Sequence, residues 1–175
     1  LPEDTLRRRA RALLAGLGYR ETYTNSMLPT RTATSFAAAF PSPDGGAVET
    51  LNPISQEMAS LRPSLLPGLL QVSSFNQKHG QRVLRFMEFG HVFRRTDQSD
   101  TVIPGYAEHE SFILGLSGPR TEAGWDRAGR ASDVFDLKGD VEEAVVVLTD
   151  TFETANGILV DVGGEVGTPA RDRLE

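Results

Sequence analysis

Helical and strand patterns follow one another in mixed order along this chain, and this order restricts the possible folds most. Leucines recur at helical spacing between residues 6 and 17 and predict a first helix that ends at Gly18. Residues 19–28 are rich in tyrosine and threonine and predict a strand. Because the later patterns show no regular strand–helix–strand alternation, we expect an α+β fold with a largely antiparallel sheet flanked by helices.

The remaining patterns predict several further elements. Ser64 is placed to cap a helix that ends before Gly80. The region 82–94 is predicted to form two strand segments, with a bend or bulge at Gly90. Other helices are predicted at 31–39 and near 121–128, and strands at 48–51 and 111–118. Residues 134–148 are predicted to run from strand through a turn at Lys138 and Gly139 into a helix, and residues 157–168 to form a hairpin.

Length and composition exclude several classes of protein. The 175 residues predict one domain, and 18 basic against 24 acidic residues give a net charge of −6. That charge argues against a dedicated binder of nucleic acid or of anionic membranes. The chain has no cysteine and no apolar run long enough to cross a membrane, so we expect a cytoplasmic protein without disulfides. It begins with leucine, which suggests a fragment of a longer chain.

Charge is distributed unevenly along the sequence. Residues 1–20 carry a local net charge of +3, and residues 133–153 carry −6. Two interpretations are open at this point. The segments are either solvated faces of two helices or complementary surfaces that meet inside a larger complex.

Residues that could support catalysis or metal binding do not form a recognisable set. The three histidines lack the spacing of a metal site. Asp133, Asp136 and Asp140 would lie on one face of a helix and could bind a metal, although a helix-capping role for Asp136 or Asp140 is favoured. The glycine-containing stretch 163–171 lacks the context of a phosphate-binding loop. Spacing alone therefore predicts no catalytic residue and no metal site.

Three segments in order carry a family resemblance. They are NPIS at 52–55 with LRPSLLPGLL at 61–70, then LRFMEFGHVF at 84–93, then FDLKGDVE at 135–142. Together they resemble the core domain of the bacterial phenylalanyl-tRNA synthetase beta subunit, over roughly residues 3–148. The resemblance implies a degenerate class II synthetase fold covering the single domain 1–175.

The resemblance also implies a role and partners. In this family the alpha subunit attaches phenylalanine to its tRNA with ATP and magnesium, within an (αβ)₂ assembly, and the beta core packs against it without catalysing a reaction. We therefore expect a catalytically inactive module of a cytoplasmic ligase, with no cofactor of its own. Contact with phenylalanine tRNA would occur through the full complex.

The resemblance marks certain residues as interface or structural motif positions. They are Asn52, Pro53, Arg62, Ser64, Pro67, Glu88, Gly90, Asp136, Lys138 and Gly139. Arg62 is expected to be buried, either in an ion pair or in a bidentate hydrogen bond.

Arg94 and Arg95 are weak candidates for an ATP contact. They stand where a catalytic alpha subunit has an arginine that contacts the ATP phosphates, but Thr96 follows where an acidic residue would be expected. The family also departs from this chain at Pro63, and its usual stretch after residue 148 is missing here. We therefore interpret both arginines as structural or interface residues.

Two other functions remain open from the sequence. One is a free-standing protein that binds a nucleotide or an amino acid in a retained class II pocket. The other is a structural module that associates with itself and has no role in translation.

Overall fold

The computed structural model describes residues 3–39, 46–97 and 101–149, which form two compact units. The first unit is built from 3–22, 72–88 and 113–149, and the second unit from 23–39, 46–71, 89–97 and 101–112. One domain over the whole chain stays a prediction. The predicted hairpin at 157–168, the stretch 163–171 and the end of the acidic segment lie outside the described residues.

The helices agree with most of the sequence pattern. Those in the described ranges are Glu3–Gly16 (α1), Thr30–Ala37 (α2), Leu66–Lys78 (α3) and Val134–Thr149 (α4), with a short 3-10 helix at Gln56–Met58. The predicted first helix is confirmed, as are the helices within 31–39 and 64–79. None of these helices combines the length and the apolar character needed to cross a membrane.

The strands form three small sheets. They are Arg20–Glu21 (β1), Met27–Leu28 (β2), Val48–Glu49 (β3), Ser60–Leu61 (β4), Leu84–Arg95 (β5), Tyr106–Ser117 (β6), Pro119–Thr121 (β7) and Arg130–Ala131 (β8). One sheet has the order β1-β5-β6, with β1 parallel to β5 and Arg20 opposite Phe86. The others are antiparallel, with the orders β2-β4-β3 and β7-β8. The predicted α+β class is confirmed.

The core of the first unit lies between α1 and α4, which pack against each other. Leu6 and Leu14 of α1 are buried, as are Val141, Ala144 and Leu148 of α4. This packing places the basic segment 1–20 and the described part of the acidic segment beside each other within one unit.

The second unit has its own small core. Leu28, Ala33, Ala37 and Ala47 form a buried cluster beneath α2. In the same unit, Phe89 of β5 stacks on Phe112 of β6, with ring centroids 5.7 Å apart. Small side chains in the cluster let backbone segments approach closely, and the aromatic pair adds apolar contact area.

Two strand predictions are wrong in detail. The region 82–94 is not two strand segments, because β5 runs without a break from Leu84 to Arg95. The region 19–28 is not one strand, because only β1 and β2 at its two ends are paired. The residues between them include Thr24, whose side chain and carbonyl bind a buried arginine instead of a neighbouring strand.

The predicted helix near 121–128 is also wrong. This stretch is the connection between β7 and β8, closed by a hydrogen bond from the Gly124 amide to the Arg127 carbonyl. Trp125 is fully exposed there, so it does not supply the buried apolar stripe that an amphipathic helix would need.

The predicted strand, turn and helix over 134–148 are a single helix, α4. Asp133 caps it, since its Oδ1 accepts hydrogen bonds from the amides of Phe135 at 2.9 Å and Asp136 at 3.0 Å. The predicted capping role is confirmed in part for Asp136, whose Oδ2 accepts from the Asp133 amide at 3.0 Å in a capping box, and is wrong for Asp140, which lies inside the helix. The sequence predicts a strand at Val134 and Phe135, but both are exposed in the first turn of the helix.

Candidate functional site

Arg62 is the centre of the motif residues in the second unit. Only 3% of it is exposed, although it carries a full positive charge. Its Nε donates to the carbonyl oxygen of His91 at 2.8 Å, and its Nη1 donates to Thr24 Oγ1 at 3.0 Å and to the Thr24 carbonyl at 3.3 Å. The predicted burial is confirmed, and the contacts of Nε and Nη1 are hydrogen bonds to Thr24 and to a backbone carbonyl.

The backbone of Arg62 ties together the same segments as its side chain. Its amide donates to the Ser26 carbonyl and its carbonyl accepts from the Phe93 amide, each at 2.9 Å. A guanidinium has five donors in a fixed plane, so one side chain can hold several backbone groups in a set geometry. Arg62 thus joins β5 to the segment between β1 and β2.

Two motif glycines leave the space that this arrangement needs. A Cβ on Gly90 would overlap Nη2 of Arg62 and lie 3.1 Å from Leu65 Cδ2. A Cβ on Gly68 would overlap the side chain of Thr24. Gly90 is therefore explained by the close packing of the Arg62 guanidinium.

Ser64 and Pro67 shape the start of α3. Ser64 is buried, and its Oγ accepts a hydrogen bond from the Leu66 amide at 3.1 Å. Its hydroxyl thus satisfies the amide of the first helical residue, which agrees with its predicted capping role. Pro67 is buried as the second helical residue. An amide at this position has no acceptor inside the helix, so the missing N–H of proline breaks no helical hydrogen bond.

The remaining motif residues of these two segments differ in their surroundings. Glu88 of β5, in the first unit, is completely buried. Asn52 and Pro53, in the second unit, are exposed in the loop after β3. Leu51 and Ile54 on either side of them are 98% and 82% exposed. The structure therefore does not bring Asn52 and Pro53 into the Arg62 arrangement.

Arg94 and Arg95 lie half-buried at the end of β5 in the second unit. Burial lowers the pKa of Arg94. The pKa of His109 on β6 is also lowered, first by burial and then by the positive charge of Arg94. On the surface nearby, His91 Nδ1 lies 2.9 Å from Glu108 Oε1. Across the described ranges, no group of three or more histidine, cysteine or acidic residues could hold a metal.

The third motif segment lies in the first unit and is organised by arginines. Asp136 receives a bidentate contact from Arg130, at 2.9 Å and 2.6 Å. This pairing and the Asp133 amide lower the pKa of Asp136 to about 2. Lys138 is exposed and pairs with Glu142 one turn later in α4. A Cβ on Gly139 would meet no atom within 4 Å.

Sequence reasoning missed Arg120 and Tyr19, which complete this network. Arg120 makes a bidentate contact with Asp140, at 2.7 Å and 3.0 Å, while the Tyr19 hydroxyl donates to the same carboxylate at 2.8 Å. Burial and the Asp140 hydrogen bond raise the pKa of Tyr19. The partners are 20 and 121 residues apart in the chain, so no local spacing could reveal them. Arginines thus pair with all three aspartates considered as metal ligands, since Arg130 also lies 3.6 Å from Asp133.

Comparison with known families decides what these motifs represent. The family described as the phenylalanyl tRNA synthetase beta chain CLM domain matches residues 1–156. The chain belongs to this family. One relative is the phenylalanine–tRNA ligase beta subunit of Salinibacter ruber, which is 55% identical over 143 residues, or 81% of this chain. That of Chlorobium chlorochromatii is 36% identical over 135 residues, or 75% of this chain.

This chain spans only 17% and 16% of the lengths of these two relatives. Its fold is that of class II aminoacyl-tRNA synthetases. A pyrrolysyl tRNA synthetase from Desulfitobacterium hafniense matches with a TM-score of 0.53 at 17% identity, over 83% of this chain and 43% of that one. An ATP phosphoribosyltransferase regulatory subunit/histidyl-tRNA synthetase from Bacillus halodurans matches with a TM-score of 0.54 at 13% identity, over 85% and 33%. The predicted family and fold class are both confirmed.

Proposed function

We propose that this chain is the non-catalytic core of a phenylalanine–tRNA ligase beta subunit. It packs against the alpha subunit that attaches phenylalanine to its tRNA with ATP, in a cytoplasmic (αβ)₂ assembly. The observation that carries the proposal is the family match over residues 1–156, together with 55% identity to a named beta subunit.

The chemistry around β5 supports a domain without its own ATP site. The guanidinium of Arg62 is held by Thr24 and by the His91 carbonyl. Arg94 is half-buried, and Thr96 follows the arginine pair where an acidic residue would assist. A phosphoryl or adenylyl site needs arginines exposed to the ligand and acidic groups for magnesium. These residues do not fit that requirement, so ATP and magnesium belong to the alpha subunit in this proposal.

Exposed apolar side chains on an ordered loop support a role in packing against a partner. Leu51 and Ile54 lie in a turn whose ends are joined by hydrogen bonds from the Thr50 amide and hydroxyl to the Ala59 carbonyl, at 2.9 Å and 3.1 Å. Apolar side chains held in place by backbone hydrogen bonds lose little entropy when they enter a pocket on a partner.

The direct test is assembly with the alpha subunit. The complete beta subunit that contains this domain and the isolated chain would each be mixed with the alpha subunit, and their masses measured by light scattering after size exclusion. An (αβ)₂ mass for the complete subunit is expected, and a 1:1 complex or a larger one for the isolated chain. Failure of the complete subunit to assemble would reject the proposal, and self-association of the isolated chain in its place would favour a structural module.

A further inference from the structure

The first unit contains a groove of about 550 Å³ that no step of the proposed function uses. It is lined in part by Arg20, Arg82 and Arg85, and Glu122 is the carboxylate among the described lining residues. The ionisable lining residues therefore carry a net charge of +2, whereas the whole chain carries −6. A concave surface whose sign opposes that of the protein concentrates ligands of the opposite charge.

The arginines of the groove are available for an anion. Arg20 and Arg82 are exposed, and within the described part of the chain neither side chain has a hydrogen bond or an ion pair. Arg85 donates to the Leu17 carbonyl at 2.8 Å and to the Arg120 carbonyl at 3.0 Å. Because these acceptors are neutral, they fix the orientation of the Arg85 guanidinium and leave its positive charge in the wall.

The C-terminal end of α3 lies close to the groove. It weakens the positive potential of the groove less than a helix end with free carbonyls would. The groove lies near the C-terminus of α3, where unsatisfied carbonyls would repel an anion. There the Gln77 carbonyl accepts the Gly80 amide and the Asn76 carbonyl accepts the Gln81 amide, each at 3.0 Å. Asn76 and Gln81 also line the groove and add polar side chains to it.

The lining distinguishes between kinds of phosphate ligand. Phe86 is the aromatic residue of the lining, and it is only 7% exposed, so a base has no ring there on which to stack. An open groove with exposed arginines and without a stacking ring suits the phosphates of a nucleic-acid backbone, which need charge and hydrogen bonds but no base recognition.

We propose that this groove binds the phosphodiester backbone of the tRNA, through Arg20 and Arg82. The inference rests on the proposed function, which supplies the RNA. It assigns the contact to one face of the first unit. A contact with two phosphates positions the RNA within the assembly, and the net charge of −6 keeps the isolated chain from being an RNA binder in its own right.

The test compares variants of the complete beta subunit assembled with the alpha subunit. Dissociation constants for phenylalanine tRNA would be measured between 50 and 300 mM salt, a range set for the assay. For R20Q/R82Q we expect about tenfold weaker binding at low salt, and a slope of log affinity against log salt shallower by about 1.5, since each lost phosphate contact removes about 0.7–0.9. The control R31Q/R127Q removes two exposed arginines outside the groove and should bind as the wild type does.

A second variant gives an effect that misfolding cannot imitate. Glu122→Gln removes the lining carboxylate, so tRNA should bind several-fold more tightly. Unchanged tRNA binding and salt slope in R20Q/R82Q, or weaker binding in Glu122→Gln, would reject the groove. A loss of alpha assembly in R20Q/R82Q would also reject it and would indicate an acidic protein partner instead. If the wild-type subunits themselves fail to assemble, the proposed function fails.

Discussion

Arg62 donates a hydrogen bond from Nε to the carbonyl oxygen of His91 over 2.8 Å, although 29 residues separate them. This contact joins the LRPSLLPGLL segment to the middle of β5, so two of the family motifs meet at one buried guanidinium. A buried charge is stable only while its hydrogen bonds persist.

Replacing Arg62 should therefore destabilise the chain. For Arg62→Ala we expect a loss of about 3 kcal/mol in the free energy of unfolding, because backbone carbonyls lose their donor in a buried site. Arg62→Lys should lose a similar amount, since an ammonium cannot reproduce the planar set of donors. Urea denaturation measures both, with exposed Arg31→Ala as a control expected to stay within about 0.5 kcal/mol of the wild type. Unchanged stability and unchanged alpha assembly in Arg62→Ala would contradict this role.

Gly90→Ala should destabilise the chain by about 1–3 kcal/mol, because the new methyl group overlaps the Arg62 guanidinium and crowds Leu65. A double-mutant cycle makes the cause visible. In an Arg62→Ala background the guanidinium is gone, so Gly90→Ala should cost clearly less there than in the wild type. Equal costs in the two backgrounds would show that Gly90 is required for another reason.

Replacing Gly139 with alanine should stabilise the chain, in contrast to Gly90→Ala. It lies inside α4 with no atom near the position of a Cβ, so Gly139→Ala should raise the free energy of unfolding by up to about 1 kcal/mol. Gly16→Ala in α1 is a matched control with equally open space. If Gly139→Ala stabilises the chain yet weakens assembly with the alpha subunit while Gly16→Ala does not, Gly139 lies in the interface, as its motif suggests.

Asp136 should make stability depend on acid pH. Its pKa is lowered from 3.8 to about 2, chiefly by the Arg130 contact and then by the Asp133 amide. The folded state thus favours the carboxylate, so its contribution is complete above about pH 4 and is lost as the pH falls from 4 to 2. Urea midpoints across that window should fall less steeply for Asp136→Asn than for the wild type. Asp97→Asn, at an exposed position, should follow the wild type, and an unchanged slope in Asp136→Asn would refute the assignment.

A measurement of ATP binding distinguishes the proposed non-catalytic core from a protein that retains a class II nucleotide pocket. Calorimetric titration of the isolated chain with ATP and magnesium should give no binding heat, because Arg94 is half-buried and Thr96 replaces the expected acidic residue. Arg94→Gln should behave in the same way. Saturable ATP binding by the wild type that disappears in Arg94→Gln would establish a nucleotide site in this domain.

The sequence by itself determined the features that depend on near neighbours. The leucine spacing of α1 predicted a helix whose Leu6 and Leu14 are indeed buried. Ser64 was recognised as a capping residue because its acceptor role lies two positions away, at Leu66. The order of the three motifs also indicates the family, because a family resemblance can be recognised from the sequence without a structure.

Only the tertiary structure decided the reasons behind several residues. The sequence predicts two strand segments around Gly90, yet the strand is continuous and the glycine makes room for Arg62. The sequence favours Asp136 or Asp140 as a helix cap, yet Asp140 binds Arg120 and Tyr19, which lie 20 and 121 residues away in the chain. The physical reason is the same in each case. Close packing and charge pairing act between residues that the fold brings together from distant positions, and local propensity carries no record of those partners.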